Sequence, residues 1–414
     1  LNEIQRRRNE GLIQRYYDNP DAKPLHIVTL NGIDYAWVYE NTTANAPLAA
    51  IEAERRPGDA FVVNGDSLAA DRLPLDVPQA KIYGHFRAAE MAETLAALPP
   101  VQRLWYLRYP AADPGVVLDA LREHAILDGE VRQFPDVEVW RFRPAPPADR
   151  AANADFGPLR LVGWGAESGA AMPGTPMGVT LAWQPTAPVT GDAVAEVEAV
   201  DAEGRVVARV EKPARDAALR PASQWAVGDR VETLAPLTVP PGTPPGEYTL
   251  RAGIKGAGQT ATLGNLSVAR GGPTDGIQIP TRLDAPAGPG LRLAGHGLPP
   301  AAPAGTTLDA PLVWRADGPV AAASADLALR DAAGRLGPTT SAPLLGVPLS
   351  QWQPGDVFRA IRTVTIPADA ATGAAYVEVM PRDAAGGALL DTPISLGPLW
   401  LQGRPLTAPP RLPH

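Results

Sequence analysis

The 414-residue sequence has no cysteine and only five histidines. The absence of cysteine excludes disulfide bonds and thiolate metal sites. The histidines show neither HxH nor HExxH spacing, and they lie at His26, His85, His124, His296 and His414. Because histidine-based metal sites usually carry such local spacings, we expect no metal and no other cofactor.

Long apolar runs are also missing. No stretch of 18 apolar residues occurs, and the longest charge-free segment, 168–191, contains four prolines. A helix that spans a membrane cannot form from such a segment. The first residues, LNEIQRRRNEG, lack the apolar core of a signal peptide. Since the chain opens with Leu1 and not with Met, we expect it to be part of a longer protein.

The charge balance gives no basic surface. The net charge is −8, from 37 basic and 45 acidic residues. A nucleic-acid-binding protein needs a basic footprint to neutralise phosphates, so we expect no nucleic-acid partner. What the chain has in abundance is proline (47) and glycine (40). That density of turn-forming residues is typical of all-β domains.

The N-terminal third alternates between strand-like and helix-like segments. Residues 1–25 predict a short polar helix in a juxtamembrane-like segment, and residues 26–143 predict an α/β domain. In it, 88–98 and 113–127 have helical composition between apolar strands, and the last two strands predict a β-hairpin. Alternation of this kind predicts a mostly parallel sheet between two layers of helices. The Pro- and Ala-rich segment 144–154 is a predicted linker.

The remaining chain contains an internal repeat. Five phrases recur in the same order: LRLVGWG with LRLAGHG, VTLAW with APLVW, DAEGR with DAAGR, SQWAVGD with SQWQPGD, and GEYTLRAGI with GAAYVEVMP. The intervals from the preceding tryptophans, 23 residues from Trp225 to Tyr248 and 24 from Trp352 to Tyr376, pair these two tyrosines. Near-constant spacing between the phrases predicts two tandem β-sandwich domains of jelly-roll or immunoglobulin-like type. Their predicted bounds are 155–270 and 290–404, with a linker at 271–289 and a tail at 405–414.

Tryptophans dominate the candidate binding residues of the sandwiches. Trp183, Trp225, Trp314 and Trp352 fall at matching positions in the two copies, which is typical of core residues. Trp164 is the exception, because His296 stands opposite it. Trp164 and His296 are therefore the predicted copy-specific binding positions, with Trp164 as an exposed ring that could stack on a sugar.

The N-terminal domain offers one candidate ligand loop. Asn64, Asp66 and Ser67 follow an apolar strand, where a loop between strand and helix could bind a ligand. The competing interpretation is an ordinary turn, because no GxGxxG phosphate-binding pattern is present. Since GxSxG, P-loop and Ser/His/Asp patterns are also missing, no residue is predicted to be catalytic.

Residues 5–40, QRRRNEGLIQRYYDNPDAKPLHIVTLNGIDYAWVYE, carry a family resemblance. The segment, and above all NGIDYAWVY, resembles the start of the extracytoplasmic C-terminal region of bacterial membrane glycosyltransferases. These are the protein O-mannosyltransferase-like enzymes, which take sugar from a polyprenyl-phosphate donor. RLWYLRY, LRLVGWG, LAWQP and SQWAVGD also look like parts of such tails. In that family the chemistry lies in a membrane-embedded portion, so no catalytic residue carries over to this chain.

The resemblance implies a soluble extracytoplasmic tail of such a glycosyltransferase, non-catalytic in isolation. Its expected partners are glycan or a surface protein, together with the membrane-embedded portion, at the cell surface. The triplet Arg6-Arg7-Arg8 does not fit an extracytoplasmic location, because basic residues beside a membrane span favour the cytoplasmic side. Two alternatives stay open: a structural or adhesion component with sandwiches as spacers in the cell envelope, and a soluble enzyme built on the α/β domain.

Overall fold

The computed structural model describes residues 26–30, 33–38, 45–64, 79–82, 93–95, 102–110, 115–135, 137–271, 276–344 and 352–403. These residues form mostly β-sheet, arranged in several separate sheets. None of the helices among them has the length and apolar character needed to cross a membrane. The predicted polar helix of the first 25 residues lies outside the described part of the chain.

The N-terminal unit comprises eight strands and two helices with described bounds. They are β1 (His26–Leu30), β2 (Ile33–Val38), α1 (Asn45–Glu52), β3 (Ala60–Asn64), β4 (Gln79–Ile82), β5 (Leu104–Arg108), α2 (Val116–His124), β6 (Ala125–Leu127), β7 (Arg132–Phe134) and β8 (Val137–Pro144). Strands β1 and β2 pair with each other in a separate antiparallel sheet. The others form a six-stranded sheet in the order β4-β3-β5-β8-β6, with β7 beside β8.

This sheet is mixed, and the predicted mostly parallel α/β domain is not supported. Strand β3 runs parallel to β4 and β5, but β8 is antiparallel to β5, β6 and β7. The β7–β8 hairpin agrees with the prediction. Helix α2 is shorter than predicted, because Ala125–Leu127 leaves the helix and pairs with the end of β8. Periodicity identifies strands but not their direction, since hairpins and crossovers can both follow an apolar strand.

A buried ion pair joins the chain segments that lead into β3 and β5. Asp59 is fully buried, and it accepts hydrogen bonds from Arg103 Nη2 (2.8 Å) and from the Trp105 indole (2.8 Å). Burial by itself would raise the pKa of Asp59. The hydrogen bonds from Arg103, Trp105 and the Arg56 main chain outweigh burial, so the pKa is lowered from its usual value. The Asp59 carboxylate therefore has a structural role: it joins the start of β3 to Arg103 and Trp105 at the start of β5.

Two four-stranded sheets form the first sandwich. Its strands are β9 (Arg150–Phe156), β10 (Leu159–Ala166), β11 (Pro176–Pro185), β12 (Val194–Val200), β13 (Val206–Pro213), β14 (Val231–Thr238), β15 (Gly246–Ile254) and β16 (Thr260–Val268). The sheet orders are β14-β11-β10-β9 and β13-β12-β15-β16. Side chains from both sheets meet in one core that includes Leu161, Trp183, Val197 and Leu250. The predicted β-sandwich class is confirmed.

The second sandwich has the same strand order. Its strands are β17 (Thr281–Pro286), β18 (Leu291–His296), β19 (Ala301–Pro303), β20 (Thr307–Ala316), β21 (Ser324–Asp331), β22 (Gly334–Pro343), β23 (Val357–Thr365), β24 (Gly373–Arg382) and β25 (Ile394–Gln402). The sheets run β17-β18-β20-β23 and β19-β25-β24-β21-β22. The added β19 lies parallel to β25, where the first sandwich has one isolated parallel bridge, Ala171–Val268.

Local irregularities are also duplicated. Strand β10 shifts register against β11 between Leu161 and Gly163, and β18 shifts against β20 between Leu293 and Gly295. A strand occupies part of each segment predicted as a linker: β9 begins within 144–154, and β17 lies within 271–289. Both are edge strands with mostly exposed side chains, so their sequences carry little apolar alternation. That lack of pattern made them resemble linkers.

Glycines of the first sandwich allow the N-terminal unit to approach closely. A Cβ at Gly165 would collide with the main chain of Pro147, and one at Gly178 would collide with the Ile126 side chain. The covered surface is the outer face of β10 and β11. An ion pair also joins the N-terminal unit to the first sandwich, where Arg143 Nη2 lies 3.0 Å from Glu167 Oε2. Between the two sandwiches, Arg270 Nη1 lies 2.7 Å from Asp356 Oδ2.

Candidate binding sites

Trp164 does not present an exposed ring. It is 6% exposed and packs in the core of the first sandwich, next to Gly264. The guanidinium of Arg150 covers the ring at 4.6 Å from its centroid. A sugar-stacking residue needs an accessible face, so the expectation of exposure at Trp164 is corrected. Its position on a strand beside glycines, which leave room for a large ring, explains the burial.

The other predicted binding residues do not form a described site. His296 is buried at the position equivalent to Trp164, and its Nδ1 accepts a hydrogen bond from the Leu298 main chain at 3.3 Å. Burial lowers the pKa of His296, which keeps the imidazole neutral. Asn64 ends β3, but its side chain lies outside the described residues, as do Asp66 and Ser67.

The two tyrosines that the repeat matched are not equivalent. Tyr248 is buried at the start of β15, and its hydroxyl donates to the carbonyl oxygen of Pro244 at 2.8 Å. This contact resembles the tyrosine corner of immunoglobulin-like sandwiches. Gly246 and Gly373 begin the equivalent strands, so Tyr248 corresponds to Ala375 and not to Tyr376. Because side chains alternate along a strand, Tyr376 lies on the opposite, outer face.

Tyr376 shares that outer face with Trp400, and we call this pair the aromatic patch. Trp400 is 51% exposed and Tyr376 is 42% exposed. Strand pairing places Trp400 opposite Ala374, two residues before Tyr376. The register of β24 against β25 shifts between Ala375 and Val377, so that Gly397 lies beside the Tyr376 ring. Both aromatic side chains project from the same outer face of the sheet. The patch therefore offers two aromatic surfaces to solvent at one place.

Small and polar neighbours frame the aromatic patch. Trp400 pairs with Ala374 on one side and Ala301 on the other, and a Cβ at Gly397 would lie 3.4 Å from the Tyr376 ring. Beyond Tyr376, Arg330 Nε lies 2.8 Å from Glu378 Oε1. These small neighbours leave the rings unobstructed. The ion pair supplies hydrogen-bonding groups at the margin.

The first sandwich lacks an equivalent patch. The register that joins β15 to β16 places Thr249 where the second sandwich has Tyr376, and Ser267 where it has Trp400. The core tryptophans Trp183 and Trp314, in contrast, occupy the same position in both copies. An aromatic pair that is found in one copy only, and outside the core, is not explained by the common fold.

A second candidate is a cleft of about 500 Å³ between the N-terminal unit and the first sandwich. We call it the interdomain cleft. Helix α2 contributes Glu123 and His124 to it, β11 contributes Thr180, and the segment after β13 contributes Asp216 and Arg220. The other charged lining residues are Asp229, Arg230 and Glu232. Clefts between domains are common ligand sites.

Glu123 at the end of α2 lies in an unusual environment. Its side chain is 10% exposed, and Lys212 Nζ lies 2.7 Å from Oε2. The pair is close in distance but does not meet hydrogen-bond geometry, since Oε2 has no hydrogen-bond partner in the described part of the chain. Burial raises the pKa of Glu123, and the opposing attraction of Lys212 is insufficient to reverse the shift. The carboxyl group therefore takes up a proton more readily than an ordinary glutamate.

Two neutral polar atoms of residues that line the cleft are buried beneath its surface and lack hydrogen-bond partners among the described residues. Thr180 is 3% exposed, and its Oγ1 has none. His124 Nε2 has none either. Burial lowers the pKa of His124 and outweighs a hydrogen bond with the Ala217 main chain, so the imidazole is neutral. Buried polar atoms without partners are uncommon, and each calls for an explanation.

The charged groups of the cleft are already engaged. Arg220 Nε lies 2.6 Å from Asp216 Oδ2. Arg230 donates to the Ala148 carbonyl oxygen at 2.6 Å and to Glu232 at 3.2 Å. Asp229 accepts a hydrogen bond from the Ala226 main chain at 3.2 Å. The lining therefore carries four carboxyl groups and two guanidinium groups, and Asp229 has a main-chain partner but no ion pair among the described residues.

Within the described ranges, no group of three His, Asp or Glu side chains is placed to hold a metal ion. In comparisons with known proteins, no protein-family model and no curated protein sequence matches the chain. The aromatic patch and the interdomain cleft therefore rest on geometry. The sequence indicated neither, because exposure of Trp400 depends on strand register and the cleft joins residues from distant parts of the chain.

Proposed function

We propose that this chain is a non-catalytic, glycan-binding extracytoplasmic part of a polyprenyl-phosphate-sugar-dependent membrane glycosyltransferase. In this proposal the N-terminal unit and two immunoglobulin-like sandwiches extend from a membrane-embedded portion. The chain holds an acceptor glycan or glycoprotein at the cell surface. The resemblance of residues 5–40 supports the family, and the aromatic patch supports glycan as the ligand.

The exposure of Tyr376 and Trp400 on one sheet face is the observation that carries glycan binding. The C–H faces of a sugar ring pack against aromatic rings, while its hydroxyl groups need polar partners. Arg330 and Glu378 lie beside Tyr376 and can supply such partners. Tyr and Trp are also the residues most often found at the centre of binding surfaces, because they bury a large area at low entropic cost.

The alternative is a spacer in a cell-envelope assembly. It is favoured by the ion pairs at both junctions, Arg143 with Glu167 and Arg270 with Asp356. Such contacts oppose bending between units, which suits a spacer. A spacer does not require an exposed aromatic pair on one sandwich only, so we favour the glycan-binding function.

The test is binding of the purified chain to an array of bacterial and synthetic oligosaccharides, compared with the Trp400→Ala and Tyr376→Ala variants. We expect at least one saccharide to bind and each substitution to weaken it by about tenfold or more, as at binding hot spots. Met172→Ala is the matched control, since it removes another exposed apolar side chain, on the first sandwich.

The variants also have a stability control. Because Trp400 and Tyr376 point outward, their removal should change the free energy of unfolding by less than about 0.5 kcal/mol. Saccharide binding that survives both substitutions would rule out the aromatic patch. If no saccharide binds and a stoichiometric protein partner is recovered from envelope membranes, the spacer function is correct instead.

A further inference from the structure

Two arginines lie beside the aromatic patch on the second sandwich. Strand pairing places Arg330 of β21 between Tyr376 of β24 and Arg335 of β22. Residues directly opposite each other on neighbouring strands point to the same face of a sheet. Leu336, the next residue of β22, packs against the core, so Arg335 points outward. The tyrosine and the two arginines therefore form one row on the outer face.

The charges of this row are not balanced. Like charges directly opposite each other on neighbouring strands are unfavourable, and Arg330 and Arg335 are such a pair. Glu378 Oε1 lies 2.8 Å from Arg330 Nε and compensates one of the two charges. Arg335 is exposed, and within the described ranges no carboxylate forms an ion pair with it. One guanidinium group therefore remains open to an anion from solution.

The other carboxylates near the row are engaged. On the same outer face, Asp326 Oδ2 lies 2.5 Å from Arg382 Nε. Asp331 is on the opposite side of its strand, since it pairs with the buried Ala375. Its Oδ1 accepts hydrogen bonds from the main chain of the turn that follows, at 2.9 and 3.0 Å. The outer face therefore carries three arginines and two carboxylates, and the unpaired charge is that of Arg335.

The first sandwich shows the same arginine in a paired state. Arg205, in the phrase DAEGR, corresponds to Arg335 in DAAGR. Arg205 Nε lies 2.7 Å from Asp201 Oδ2, and its Nη2 lies 2.7 Å from Glu203 Oε2. In the second sandwich Ala333 stands in place of Glu203. The sandwich that carries the aromatic patch is thus also the one that leaves this arginine unpaired.

We propose that the ligand of the aromatic patch is an acidic saccharide whose carboxylate or phosphate group binds Arg335, with Arg330 beside it. The inference rests on the proposed glycan function and adds the charge of the glycan. A guanidinium group binds either anion through two parallel hydrogen bonds. Arg335 is two strands away from Tyr376, about 10 Å at the usual strand spacing. A ligand of two or more sugar rings therefore reaches both.

The experiment is calorimetric titration of the purified chain with two matched pairs of oligosaccharides. The first pair is tetragalacturonate and its fully methyl-esterified form. The second is a phosphomannan oligosaccharide before and after phosphatase treatment. We expect the acidic member of at least one pair to bind about tenfold or more tightly than the neutral member at low salt. The pair that shows the difference identifies the anion as carboxylate or phosphate, and added salt should reduce the difference.

Arg335→Ala should lower the affinity for the acidic member about tenfold, to that of the neutral member. Arg282→Ala is the matched control, because it removes an exposed arginine from β17 in the other sheet of the same sandwich. Without ligand, Arg335→Ala should unfold at a higher denaturant concentration at low salt, since it removes the opposition of like charges. A purely structural role of Arg335 would give a lower concentration instead.

The outcomes separate the acidic ligand from the glycan function on which it rests. If neutral and acidic members bind equally and both are weakened by Trp400→Ala, the ligand is a neutral glycan and only the acidic ligand is overturned. If no member binds and the saccharide array also shows no binding, both proposals are wrong. Equal losses in Arg282→Ala and Arg335→Ala would show an effect of net charge alone and would overturn the role of Arg335.

Discussion

Trp183 and Trp314 occupy the same place in the two sandwiches, but among the described residues only Trp183 has a partner for its indole nitrogen. Trp183 Nε1 donates to Thr233 Oγ1 at 3.0 Å, whereas Trp314 Nε1 has no partner among the described residues. Strand pairing explains the difference. Thr233 lies opposite Leu181, and Ala360 lies opposite the equivalent Leu312. The second sandwich therefore has Ala360 at the position of Thr233, and an alanine side chain cannot accept a hydrogen bond from the Trp314 indole.

Thr233→Val tests the value of this hydrogen bond. Valine keeps the shape of threonine, so no cavity forms, but Trp183 Nε1 loses its acceptor in a buried core. We expect the free energy of unfolding to fall by about 1–3 kcal/mol, measured by urea denaturation. Thr238→Val, at an exposed position of the same strand, is the control. An unchanged stability would mean that Trp183 finds another acceptor.

Ala360→Ser is the complementary change in the second sandwich. The serine hydroxyl would offer Trp314 Nε1 the acceptor that it lacks, and we expect a gain of about 0.5–1.5 kcal/mol in the free energy of unfolding. Ala375→Ser, at a fully buried position of β24, introduces the same group without that indole and should destabilise. A loss of stability in Ala360→Ser comparable to that in Ala375→Ser would contradict the assigned equivalence.

The sequence was sufficient to predict the sandwich class and the inward position of the paired tryptophans. Repeated phrases carry that information because both copies bury the same strands around Trp183 and Trp314. The sequence misplaced Tyr376, since matching it to Tyr248 shifts the strand by one residue. A one-residue shift exchanges the inner and outer faces of a strand. The exposed tyrosine was consequently treated as the partner of a buried one.

Long-range packing explains the other misses. Trp164 looked unusual because His296 stands opposite it, but its ring lies in the core of the first sandwich, where Gly264 of a distant strand leaves room for it. The interdomain cleft joins α2 to β11 and to the segment after β13. No local spacing reports such a meeting of distant residues. The sequence also could not predict that β8 is antiparallel to β5, because the apolar pattern of a strand does not depend on its direction.

Gly165→Ala tests how the N-terminal unit docks. The new methyl group would collide with the Pro147 main chain, which cannot rotate away as a side chain could. We expect overpacking to lower the free energy of unfolding by about 1–3 kcal/mol, with faster proteolysis of segment 144–150. Gly318→Ala is the control, because its Cβ would meet nothing closer than 3.8 Å. Equal behaviour of the two variants would show that the docked arrangement is not fixed by Gly165.

Acid should destabilise the second sandwich through His296. Burial lowers the pKa of His296, so below the usual histidine value of 6.5 the unfolded chain binds a proton that the folded chain does not. The stability contributed by the neutral imidazole is therefore present above pH 6.5. It is lost as the pH falls towards the folded pKa, with a slope of up to about 1.4 kcal/mol per pH unit.

His296→Asn removes this titration while its amide oxygen can still accept the hydrogen bond from the Leu298 main chain. We expect the loss of stability between about pH 7.5 and pH 5.5 to be smaller in His296→Asn than in the parent. His124→Gln should act in the same direction, since burial lowers the pKa of His124 as well. Glu123 has the opposite effect on the pH dependence of stability. Its pKa is raised in the folded chain, so the folded chain binds this proton more readily and gains stability as the pH falls. The informative quantity is therefore the difference between each variant and the parent, measured by urea denaturation across this range. A parallel pH dependence in His296→Asn and the parent would show that His296 takes up its proton equally in the folded and unfolded chain.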